Sequence, residues 1–177
     1  MYELPKRKFN RLKDYDYSQA GMYFVTACAK DRAELFGNIP AANAGVIYNQ
    51  RNVGAATCRP RVKLSECGKI LEDAIFKIQN IYDDILVDRY IIMPNHVHMI
   101  LVINHTNGRQ VAAPTVSLVI GNMKRAVSLM SGHSPWQKSF HDHIIRNEQS
   151  YLQIAEYIEN NALTWESDCF YNPPQNT

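Results

Sequence analysis

Four stretches of this sequence have the apolar alternation or apolar runs of β-strands, and three carry apolar residues at helical spacing. The first strand is predicted over residues 21–29, "GMYFVTACA", with Tyr23, Val25 and Ala27 on one face and Phe24, Thr26 and Cys28 on the other. The following "LFGNIPAANAGVIYNQRNVGAATCRPRVK" is rich in Gly, Asn, Ala and Pro and lacks sustained periodicity. It predicts a loop insertion over about residues 37–64, with a short hairpin around Val46 to Tyr48 as its one candidate element. Ser65 is placed to cap a helix that turns Ile70, Leu71, Ala74, Ile75 and Ile78 inward and ends before the polar "QNIYDD". Two strands follow, over residues 86–93 and 96–103, joined by a turn containing Pro94 and Asn95. A second helix is predicted over about residues 115–130, with Val119, Met123, Ala126, Val127 and Met130 inward and Lys124 and Arg125 nearer solvent. "WQKSFHDHIIR", residues 136–146, reads as the fourth strand. A third helix spans about residues 147–161, and Trp165 and Phe170 pack the tail before a proline-rich end. The order β, α, β, β, α, β, α predicts an α+β fold: a ferredoxin-like split βαβ sandwich with a four-stranded antiparallel sheet and an extra C-terminal helix.

The chemistry concentrates in "MPNHVHMILVI". Side chains alternate along a strand, so His96 and His98 point the same way about 7 Å apart, a spacing from which both can lean onto one ion. Ile100 and Val102 continue their face, and Val97, Met99, Leu101 and Ile103 fill the other. Such a strand is covered on both sides, where an unsatisfied polar atom is costly. The pair alone fits either a metal site or two hydrogen-bonded structural histidines.

The third helix, "NEQSYLQIAEYIENNALTW", puts Tyr151, Ile154, Ala155, Ile158 and Ala162 on an apolar stripe. Gln153, Tyr157, Asn160, Asn161 and Thr164 occupy a polar face. Tyr157 and Asn161 lie one turn apart and can address one neighbouring site, while Tyr151 is the packing residue.

Composition adds limits. At 177 residues, 46% hydrophobic and 20% charged, the chain suits one domain with a proper core. Its longest apolar runs are about five residues, against roughly 20 for a bilayer span, and "MYELPKRKFNRLK" has no apolar signal core. A cytoplasmic protein without a membrane partner is expected. Cys28, Cys58, Cys67 and Cys169 have no Cys-X-X-Cys spacing and read as reduced thiols. The net charge of +2 says little, but Lys6, Arg7, Lys8, Arg11 and Lys13 gather in a basic arm over about residues 1–20. Such an arm fits either phosphate contact or a solvated tail.

Over nearly its whole length the sequence resembles the REP-associated tyrosine transposases. These are single-tyrosine HUH transposases, named for a His, a bulky hydrophobic residue and a second His. "RLKDYDYSQAGMYFVT" is similar to that family's opening strand region and "MPNHVHMILVI" to its metal-binding strand. "WQKSFHDHIIRNEQSY" is similar to its last strand and turn, and "IAEYIENN" to its nucleophile helix. The resemblance implies a single HUH transposase domain over residues 1–177, with His96, His98 and Asn161 as metal ligands, Tyr157 as nucleophile, and Mg²⁺ or Mn²⁺ as cofactor. Family members often read Asn-Pro where this chain has Asn161-Ala162, which leaves the ligand in place but puts the helix's ending in question. The segment "NVGAATCRPR" has no counterpart in the resemblance.

The implied activity is that of a metal-dependent transposase or nicking endonuclease. It would cleave and join single-stranded DNA at hairpin-flanking sites through a 5′-phosphotyrosine link, with single-stranded or hairpin DNA as partner and a monomer or homodimer as working unit. The alternative is a catalytically silent module that binds hairpin nucleic acid. Lys6, Arg7, Lys8, Arg11, Lys124 and Arg125 are the expected phosphate contacts, with Tyr15 or Tyr17 stacking on a base. His141 and His143 share one face of the fourth strand and are assigned to packing, hydrogen bonding or DNA contact, with Asp142 stabilising the turn.

Overall fold

A computed structural model describes residues 15–40, 62–104 and 114–171. Along them run β1 (Gly21–Cys28), β2 (Gly37–Asn38), β3 (Lys63–Leu64), α1 (Glu66–Ile81), β4 (Ile85–Ile92), β5 (His96–Ile103), α2 (Val116–Ser131), β6 (His141–Ile145) and α3 (Glu148–Asn160). Short 3-10 turns lie at Lys30–Arg32 and Asn161–Ser167. The four long strands form one antiparallel sheet in the order β4-β5-β1-β6, the expected ferredoxin-like arrangement.

The period-two pattern decides which helix meets which face. Tyr23, Val25 and Ala27 of β1 and Val97, Met99, Leu101 and Ile103 of β5 join Leu71, Ile75 and Ile78 of α1 and Val119, Ile120, Met123 and Val127 of α2 in the main core. The opposite face, with Phe24, Ile100, Val102 and Ile145, meets Tyr151, Ile154 and Ile158 of α3. His96 and His98 belong to this second face, under the extra helix. Burying each large aliphatic side chain contributes about 1.5–3 kcal/mol, so both layers are held chiefly by these contacts. The helix starts follow the side-chain chemistry. Ser65, Thr115 and Asn147 accept the backbone N–H of Gly68, Leu118 and Ser150 at 3.0, 3.2 and 2.8 Å.

A bulge in β4 directs its side chains. Val87 pairs with Leu101 but Arg89 pairs with Ile100, leaving Asp88 as the extra residue. Before it, Ile85 and Val87 face the main core. After it, Tyr90 and Ile92 do, and Arg89 turns to α3. Tyr151 of α3 donates its hydroxyl to Asp88 Oδ2 at 2.9 Å, and Arg89 pairs with Glu159. The bulge thus fastens the extra helix to the sheet edge.

Several boundaries differ from the sequence reading. α1 continues through Gln79 and Asn80 to Ile81, because polar residues on its solvent side do not interrupt the buried stripe. β4 begins at Ile85, one residue early. β6 is only five residues long, and Trp136 makes an isolated bridge to Ala29 instead of extending it. The Lys124 ammonium takes the Gln137 and Ser139 carbonyls at 2.7 and 3.0 Å, which removes them from the ladder. Met130 is exposed at the end of α2. The ends of the expected insertion, Gly37–Asn38 and Lys63–Leu64, pair as a small antiparallel ladder. The hairpin around Val46 to Tyr48 and the basic arm from Lys6 to Lys13 lie outside the described residues. Among the described residues, no helix is long and apolar enough to cross a membrane.

Candidate metal and nucleophile site

The buried rings of His96 and His98 lie side by side, with centroids 4.4 Å apart. Neighbouring groups orient both. The Asn95 amide nitrogen donates to the carbonyls of Arg32 and Phe170 at 3.2 and 2.8 Å, so its oxygen faces His96 Nδ1, 2.8 Å away. An amide oxygen only accepts, so the His96 proton sits on Nδ1 and Nε2 keeps its lone pair. That Nε2 is buried without a hydrogen-bond partner. Burial, with a smaller push from Arg32 against the pull of Asp168, lowers the His96 pKa to about 4. His98 Nδ1 lies 2.8 Å from the Thr26 hydroxyl, and burial followed by repulsion from His96 holds this ring well below the ordinary imidazole range. Both rings are therefore neutral near pH 7, the form that binds a metal.

α3 brings up the oxygen atoms. Tyr157 is 38% exposed, and its hydroxyl is 3.2 Å from His98 Nε2. Asn161, one turn on, is fully buried and donates its amide to Asp168 Oδ2 at 2.8 Å, leaving its own oxygen buried without a partner. Tyr157 donates to the same Asp168 oxygen at 3.1 Å. Phe24 stacks beside His98, with centroids 5.2 Å apart, and meets the Tyr157 ring edge-on at 6.2 Å. Burial first, and then the Asp168 charge, push the Tyr157 phenol well above its usual pKa.

Asp168 is the residue that the sequence reading missed. The ligating atoms of His96, His98 and Asp168 all lie within 4.8 Å of one another. No periodicity marks Asp168, because it follows the 3-10 turn and is placed by tertiary contacts. Its N–H donates to the Trp165 carbonyl at 3.0 Å, its Oδ1 accepts the Phe170 N–H at 2.7 Å, and Arg32 holds the Cys169 carbonyl at 2.9 Å. Two neutral imidazoles, a carboxylate and an amide oxygen make a donor set suited to a divalent cation. The unpartnered His96 Nε2 and Asn161 Oδ1 are the atoms that such an ion would satisfy.

An uncharacterized protein of Haemophilus influenzae (strain ATCC 51907 / DSM 11121 / KW20 / Rd) is 30% identical to this chain over 185 aligned residues, covering 93% of each. The chain belongs to the family of that protein. No protein-family model matches it. Among solved structures, a REP-associated tyrosine transposase bound to a REP hairpin superposes with a TM-score of 0.60 at 18% identity, over 88% of this chain and 74% of that one. At that identity the likeness is one of fold.

The remaining residues with expected roles are scattered. Lys124 is half-buried, with its ammonium engaged by the two carbonyls that shorten β6, whereas Arg125 is exposed on α2. Lys6, Arg7, Lys8 and Arg11 lie outside the described residues. Tyr17 is buried against Tyr15 and Tyr23 and belongs to the main core, so its ring is not offered for stacking. His141 and His143 are exposed on β6, opposite Thr26 and Phe24 of β1. They share the face of His96 and His98, nearer the sheet edge.

Proposed function

We propose that this chain is a divalent-cation-dependent DNA strand transferase that cleaves and rejoins single-stranded DNA beside hairpins through a phosphotyrosine link on Tyr157. The observation that carries this reading is the convergence of a half-exposed phenol on two buried, neutral imidazoles and two oxygen donors. A structural histidine pair would have no reason to leave Nε2 of His96 and Oδ1 of Asn161 unpartnered beside a tyrosine hydroxyl. The fold shared with a hairpin-bound tyrosine transposase supports DNA as the substrate.

His96, His98 and Asn161 would hold Mg²⁺ or Mn²⁺, with Asp168 as a further oxygen donor. The bound ion supplies positive charge that favours the phenolate and neutralises the phosphate. Burial and Asp168 both favour the protonated phenol, so the protein alone does not supply that push. Asp168 Oδ2 is the acceptor placed to take the Tyr157 proton. Tyr157 Oη then bonds to phosphorus, the P–O3′ bond breaks, and the leaving oxygen takes a proton from solvent to become a free 3′-hydroxyl. The link keeps the phosphodiester count constant, so a 3′-hydroxyl of another strand can reverse the step without ATP.

The test is incubation with an end-labelled hairpin oligonucleotide and Mn²⁺, followed by denaturing electrophoresis. A 3′ label should stay with the protein and a 5′ label should leave on the fragment bearing the free 3′-hydroxyl. Tight hairpin binding without an adduct would instead identify a silent binding module.

A further inference from the structure

The turn between β4 and β5 carries Pro94 and Asn95, and the Met93 N–H closes it on the His96 carbonyl at 2.8 Å. Both turn carbonyls are held from outside: the Phe36 N–H donates to Pro94 at 2.9 Å and the Ala29 N–H to Asn95 at 2.7 Å. The backbone that carries the Asn95 side chain is therefore fixed, and the side chain is buried.

A primary amide offers two N–H donors and one oxygen acceptor. Asn95 directs them to three segments of the chain. Its nitrogen donates to the Arg32 carbonyl at 3.2 Å and the Phe170 carbonyl at 2.8 Å, and its oxygen accepts from His96 Nδ1 at 2.8 Å. Arg32, in the turn after β1, reaches the tail a second time, through its guanidinium on the Cys169 carbonyl at 2.9 Å. Phe170 lies two residues past Asp168. Its N–H donates to Asp168 Oδ1 at 2.7 Å, and its ring centroid is 4.6 Å from that of His96. One buried amide thus touches both the imidazole that presents Nε2 and the segment that presents Asp168 Oδ2.

We infer that Asn95 is a positioning residue with two separable roles: its oxygen holds His96 in the tautomer that leaves Nε2 free, and its N–H groups dock the tail so that Asp168 reaches the same ion. The inference rests on the cation-site reading and deepens it. Aspartate reproduces only one of the two roles. In Asn95→Asp the carboxylate still accepts from His96 Nδ1 but, when ionised, donates to neither carbonyl. A carboxylate behind a metal-ligating imidazole makes that imidazole more basic. An effect through His96 alone would therefore keep or tighten metal binding, whereas an effect through the tail weakens it.

The test follows Mn²⁺ binding to the full chain by the paramagnetic resonance signal of the free ion, and amide hydrogen exchange of Asp168, Phe170 and Tyr171 in chelator. Asn95→Asp should weaken Mn²⁺ binding by about tenfold, the usual scale for a partner that orients a metal ligand. It should also speed exchange at the three tail amides by about tenfold or more. Asp168→Ala should weaken binding by itself, and adding Asn95→Asp to it should cause no further loss, because the tail then has no carboxylate to place. Asn95→Ala introduces no charge and serves if a thermal melt shows Asn95→Asp unfolded. It should speed the same exchange and weaken binding more in the parent than in Asp168→Ala. Asn122→Ala removes an amide on α2 that donates to Tyr82 and should change neither quantity. Parent-like affinity or parent-like tail exchange in the folded Asn95 variant, or an equal loss of affinity with and without Asp168, overturns the inference and leaves the cation site standing. A parent that binds no Mn²⁺ overturns both.

Discussion

Tyr157→Phe separates chemistry from structure in this fold. The substitution keeps the ring that meets Phe24 and His98 and removes one oxygen. That oxygen makes two contacts, 3.1 Å to Asp168 and 3.2 Å to His98, from a side chain that is 38% exposed. Asp168 Oδ2 keeps its 2.8 Å bond from Asn161, so no buried charge is stranded. The expected loss of stability is about 1 kcal/mol, a shift of about 2–4 °C in Tm for a chain of this size. Adduct formation should fall to zero, because no other oxygen takes the place of the phenol. Tyr151→Phe is the matched control. Its hydroxyl donates to Asp88 at 2.9 Å and accepts from Arg89 at 3.4 Å, both on β4 and neither at the His98 ring, so it should lose about the same stability. Its yield of adduct should match the parent. Thermal melts, anisotropy with the hairpin and denaturing gels on the same samples give all three quantities. An adduct that persists in Tyr157→Phe and disappears in Tyr151→Phe would refute the assignment of the nucleophile.

Three further outcomes follow from the same geometry. His96→Ala should abolish the rise in Tm produced by Mn²⁺, which for the parent is about 2.7 kcal/mol of stabilisation at a hundredfold excess over Kd, and scanning fluorimetry with and without chelator checks this. In chelator, the parent should be most stable above the unfolded histidine pKa of 6.5. It should lose about 3 kcal/mol as pH falls from 6.5 toward the folded His96 value of about 4, because the unfolded chain binds the proton first. Denaturant melts across that range should show a flatter profile for His96→Gln. Gly68→Ala should destabilise by about 3 kcal/mol or more, since a Cβ there would collide with the Phe36 carbonyl under the first turn of α1, and a melt showing less than 1 kcal/mol would mean that this junction yields readily.

Alternation along β1 and β5 was legible because both strands are buried on two sides, so each position's face follows from its parity with His96. The Tyr157 and Asn161 pairing was legible from a single helical turn. Their degree of burial was not: both lie on the polar face, yet Tyr157 is 38% exposed whereas Asn161 is fully buried beside Asp168 of the tail. Asp168 itself carries no local signal, since its position depends on Trp165, Phe170, Asn95 and Arg32 together. The length of β6 was hidden for a similar reason. A lysine on α2, remote in sequence, captures the carbonyls that would have continued the ladder. Local pattern reports faces well, and it is silent where distant side chains compete for the backbone.

The extra residue in β4 gives that strand two reading frames. Up to Val87 the odd-numbered positions belong to the main core, and from Arg89 onward the even-numbered ones do. The two layers that β4 separates are therefore addressed in different registers by one continuous strand. Deleting Asp88 would merge the two frames into one regular ladder: Val87 and Arg89 would become neighbours opposite Leu101 and Ile100, with Arg89 still toward α3 and Tyr90 and Ile92 still toward the main core. The Arg89–Glu159 pair and the contact of Tyr90 with Glu72 would be kept, and Tyr151 would lose the carboxylate to which it donates. The extra residue thus serves the anchor of the helix that carries Tyr157, and the faces of the residues that follow it would stand without it.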